Sequence, residues 1–60
     1  MSERAVYETF EALFALTDLR QLLRETKPLF NFSEEQREEV QRILKTVRRS
    51  LEIIEEETLR

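Results

Sequence analysis

A single proline, Pro28, divides the 60 residues into two stretches with no further proline, and the chain has no glycine at all. No other feature constrains the fold as much. Glycine supplies the positive-φ positions of tight hairpins and the backbone cradles of phosphate-binding loops. Without it, β-hairpins, P-loops and dinucleotide-binding turns lose their usual chemistry. Two long helices joined once need no such position. The residue before a proline is disfavoured in the α region, so the break is local. The pattern predicts one helical-hairpin domain spanning 1–60: a helix over about residues 3–27, a loop over 28–33 and a second helix over about 34–58.

The expected helix ends carry their own signals. Ser2 is an N-cap candidate, with Glu3 suiting the positive end of the helix dipole and Arg24 and Lys27 the negative end. Ser33-Glu34-Glu35-Gln36 has the spacing of a capping box. The loop is unusually apolar, and Leu29, Phe30 and Phe32 are read as a plug over one end of the core, with an exposed docking site as the alternative. The acidic run Glu52, Glu55, Glu56, Glu57 opposes the dipole at its end of the second helix. It is expected to fray, or to be offset by Arg4 across the hairpin.

Hydrophobic periodicity separates the two helices. In the second, Val40, Leu44, Val47, Leu51 and Ile54 recur at steps of four and three, a single heptad seam that Ile43 widens. The first carries two seams: Tyr7, Phe10, Phe14 with Thr17 and Gln21, and Ala5, Thr9, Ala12, Leu16, Leu19, Leu23. A helix apolar over most of its circumference is buried on several sides. Folding the hairpin about the centre of the loop sets Tyr7 against Ile54, Phe10 against Leu51 and Phe14 against Val47. Large apolar groups then meet large apolar groups. The expected intrachain core is therefore Tyr7, Phe10, Phe14, Val40, Leu44, Val47, Leu51 and Ile54. Ala5, Thr9, Ala12, Leu16, Leu19 and Leu23 are left for a second chain.

Size argues the same way. A 60-residue chain buries only about 60% of its unfolded surface and is marginal alone. Small scaffolds add disulfides, metals or partners. There is no cysteine and no histidine, so disulfides are impossible and a zinc site lacks its usual ligands. The expectation is an all-α antiparallel hairpin assembling into a homodimeric four-helix bundle.

The same absences weigh against catalysis, since nucleophilic triads and most general bases lack their parts. Paired acids such as Glu8/Glu11 want the histidine of di-iron motifs. No enzyme activity and no cofactor are expected. The start, Ser2-Glu3-Arg4, has no basic stretch leading into an apolar one, and the longest apolar run is Ala12 to Leu16. These point away from a leader and a membrane span and, with zero cysteine, towards the cytoplasm. The leading functional expectation is a small adaptor or regulator that binds itself and a protein partner. The alternative is a nucleic-acid-binding regulator using Arg20, Arg24, Arg42, Lys45 and Arg49 as one basic zone. A net charge of −3 counts against it, and phosphate binding would weaken steeply with salt where apolar docking would not.

Overall fold

The computed structural model describes residues 2–29 and 31–59. It contains two helices in chain order, α1 (Glu3–Glu25) and α2 (Glu34–Leu59), packed on each other as an antiparallel hairpin of 42 × 16 × 13 Å.

Local chemistry sets the ends. Ser2 is extended (φ −78°, ψ 152°), and its Oγ accepts from the Ala5 backbone N–H at 3.1 Å. At α2 the capping box is complete. The Gln36 N–H donates to Ser33 Oγ at 3.1 Å, and the Ser33 N–H donates to Gln36 Oε1 at 2.8 Å. Each otherwise orphaned donor finds a side-chain acceptor. Replacing Ser33 by alanine is expected to cost about 1 kcal/mol, a fall of about 4–8 °C in the thermal midpoint. Circular dichroism melting checks this, and an unchanged midpoint would mean that the cap adds nothing.

α1 stops at Glu25, two residues before the expected end. The hydroxyl of Thr26 donates to the Leu23 carbonyl at 2.8 Å and its backbone N–H donates to the same oxygen at 3.2 Å. These bonds close the last turn ahead of the proline, and the Lys27–Pro28 peptide is cis. With the chain leaving α1 early, the register shifts. The Ser50 hydroxyl donates to Glu8 Oε1 at 2.8 Å across the hairpin, whereas folding about the loop centre would have set Glu8 opposite Ile53.

The larger correction concerns which face of α1 turns inward. Buried on α1 are Ala5, Ala12 and Ala15, and on α2 Ile43, Ile53 and Ser50. Glu8, Leu19, Leu22 and Thr26 are half-buried and complete a run with the three alanines at three- and four-residue steps. Tyr7, Phe10 and Phe14, expected in the intrachain core, are instead 61%, 53% and 62% exposed, and Leu51 is exposed with them. Val40, Leu44, Val47 and Ile54 are half-buried along the contact. Of the residues expected to face a second chain, Ala5 and Ala12 lie inside the hairpin, Leu19 is half-buried, and Thr9, Leu16 and Leu23 are exposed. The reason is steric. Small side chains let two helices approach closely, so isoleucines of α2 can settle onto alanine and gain dispersion contacts on every side. One α2 helix is too narrow to cover the aromatic face.

Two further expectations change. Leu29 is exposed and only Phe32 is half-buried, so the plug is not assembled by these two; Phe30 lies outside the described residues. The acidic run stays helical as far as Leu59. Arg4 does not offset it by contact, since among the described residues the ion pair formed is Arg42 with Glu39.

Candidate interaction face

The two edges of the hairpin differ in polarity. One groove between the helices is lined by Glu11, Phe14 and Asp18 of α1 and by Glu39, Arg42 and Thr46 of α2, with the buried Ala15 and Ile43 between them. That places the polar edge of α1 beside the polar edge of α2. By helical geometry the opposite edges then also adjoin: Thr9, Leu16 and Leu23 of α1 beside Leu44 and Leu51 of α2. That second edge is apolar, and Leu16, Leu23 and Leu51 are exposed on it.

From this edge the apolar surface continues around the outer side of α1. Val6, Phe10 and Leu13 lie there in heptad spacing and are all exposed. Thr17 extends the row. Its hydroxyl is tied to the Leu13 carbonyl at 2.9 Å, which leaves its methyl group free to pack. The Phe10 and Phe14 rings stack with centroids 6.4 Å apart and planes 25° apart, within the range of favourable aromatic pairs. The periodicity of Val6, Phe10, Leu13 and Thr17 was available in the sequence. It crosses the two seams, sharing Phe10 and Thr17 with one of them.

Tyr7 marks the border of this surface. Its phenol donates to Glu11 Oε1 at 3.0 Å. That bond first, and then the negative charges of Glu11 and Glu8 with a little desolvation, hold its pKa above the ordinary 10.0. The folded chain thus grips the phenolic proton more tightly than the unfolded chain. This contribution to stability is present in full below pH 10 and is lost as pH rises through the folded value. Because Tyr7 is the one tyrosine, an ultraviolet titration should show a midpoint above 10 that returns towards 10 in Glu11→Ala. An identical midpoint in the variant would contradict the hydrogen bond.

The candidate basic zone is divided by the fold. Arg20 and Arg24 border a shallow groove on α1 with Lys27 and Leu16, Leu19 and Leu23. Arg42 and Lys45 border another on α2, and Arg49 a third with Tyr7 and Glu8 on the polar side. The groove that Arg20 and Arg24 border is thus not one that Arg42, Lys45 or Arg49 borders. Arg42 is also engaged with Glu39. Among the described residues, no three acidic side chains converge on a point that would hold a metal ion, and no helix is long and apolar enough to cross a membrane.

Compared with protein-family models, with curated proteins and with solved structures, the chain matches none.

Proposed function

We propose that the chain is a non-enzymatic association module in which α1 forms the centre of a homodimeric four-helix bundle. The Val6–Phe10–Leu13 row and the Leu16–Leu51 edge are covered by a second copy, and the charged outer face of α2 stays in water. The assembled bundle serves as a small adaptor or regulator that works by binding.

The surface area carries this reading. The single chain exposes 5208 Å², whereas a compact monomer of its mass exposes about 4,200 Å². The excess, about 1,000 Å², is on the scale of the ~800 Å² that each partner of a standard interface covers. The half-exposed leucines and phenylalanines supply the driving force, each gaining about 1 kcal/mol on being covered. α2 shows the complementary pattern, one buried seam and, apart from Leu51 and Leu59, a largely charged or polar exposed surface, as befits an outer helix.

Sedimentation equilibrium tests the proposal. The expected mass is twice the chain's 7.3 kDa, and it should persist as salt is raised, because apolar contacts are not screened. A folded 7.3 kDa species at concentrations of about 100 μM would end it.

A further inference from the structure

The row on the outer side of α1 extends beyond its apolar part. At alternating steps of three and four it reads Glu3, Val6, Phe10, Leu13, Thr17, Arg20, Arg24. It is acidic where α1 begins, apolar in the middle and basic towards the loop, and every member except Thr17 and the charged ends is a large apolar residue in the open. Such a row is complementary to itself when reversed. In a two-fold contact each residue i that meets j is matched by a j that meets i. Reversed about the point between Phe10 and Leu13, Glu3 meets Arg20, Val6 meets Thr17 and Phe10 meets Leu13, each twice. Laid parallel, the same row sets Glu3 against Glu3, Arg20 against Arg20 and Arg24 against Arg24, which is destabilising.

The charge along the whole hairpin favours the same arrangement. Around the open end lie Glu3, Glu8, Glu11, Glu52, Glu55, Glu56 and Glu57, with Arg4, Arg48 and Arg49 as the described cations, so that acid still outnumbers base there. Around the loop, Arg20, Arg24, Lys27 and Arg37 nearly balance Glu25, Glu34, Glu35, Glu38 and Glu39. A parallel pair stacks two strongly acidic ends. A reversed pair sets each acidic end beside a nearly neutral one.

Resting on the association proposed above, we infer that the second copy lies antiparallel, α1 against α1, with each Glu3 beside the partner's Arg20 and the two loops at opposite ends of the bundle. Asn31 is an exposed loop residue and the chain has no native cysteine, so a nitroxide on Asn31→Cys reports the arrangement directly by pulsed electron resonance. The antiparallel bundle gives a distance comparable to or above the 42 Å length of one hairpin. A distance of about 10–20 Å, the scale of neighbouring helices and their side chains, would overturn the orientation and leave the association standing. Absence of any defined distance together with a monomer mass would overturn the association itself. Separately, Arg20→Glu should weaken association by roughly 3- to 10-fold at low salt, the scale of two exposed ion pairs. An unchanged dissociation constant would remove the Glu3–Arg20 contact.

Discussion

Replacing Ala12 with leucine should lower the thermal midpoint by about 5–20 °C, although it adds a strong helix former and apolar surface. Ala12 is one of three alanines buried between α1 and α2, and only 8% of it is exposed. Three extra heavy atoms do not fit there. Inserting methylenes into a packed interior typically costs about 1–3 kcal/mol, and in a domain of this size each kcal/mol moves the midpoint by about 4–8 °C. The melt must be run at fixed protein concentration, because association would make the midpoint concentration-dependent. A raised midpoint would show that Ala12 has room beside it, and that the close helix approach described here is wrong.

The double substitution Leu13→Glu with Leu16→Glu probes the other side of α1. Both residues are exposed in the hairpin, so neither change disturbs the Ala5–Ala12–Ala15 contact. Between two copies they would place four carboxylates in an apolar interface, where unpaired charge is costly. Breaking complementarity by burying an unpaired charge typically costs about 3–5 kcal/mol, more than truncating most interface residues. The dissociation constant should therefore rise at least about 100-fold, and sedimentation should return the 7.3 kDa chain mass with reduced helicity at 222 nm. A variant that keeps twice that mass would show that this face is not the interface.

These two substitutions fall on the point where sequence and structure part. The helix starts were legible because capping is local chemistry: Ser2, Ser33 and Gln36 act within one turn of themselves. That α1 has more apolar surface than one neighbour can cover was legible too, from residues such as Phe10, Leu13 and Leu16 lying on different sides. The choice of inward face was not. Both the aromatic row and the alanine row satisfy the heptad period, and pairing large residues with large ones favours the wrong row. What decides is the separation of the helix axes, which small side chains shorten and periodicity does not express. The register failed for a related reason. Thr26 closes α1 two residues early through its bonds to the Leu23 carbonyl, and a shift of the hairpin's centre moved every facing pair. Joining Arg20 and Arg24 of α1 to Arg42, Lys45 and Arg49 of α2 depended on the register and on the rotation about each helix, and the grooves they border are different ones.

A contact lined with alanine is smooth along its length. Ala5, Ala12 and Ala15 offer α2 nearly the same surface at each turn, so apolar packing alone distinguishes poorly between neighbouring alignments. Glu8 and Ser50 are the exception. Sliding α2 by one turn takes Ser50 away from the half-buried Glu8 carboxylate, and a hydrogen bond to a charged group is worth about 1.5–3 kcal/mol. The pair therefore acts less as an adhesive than as a detent on a rail. It holds α1 and α2 at one setting, and so gives every copy of the hairpin the same apolar edge of Leu16, Leu23 and Leu51.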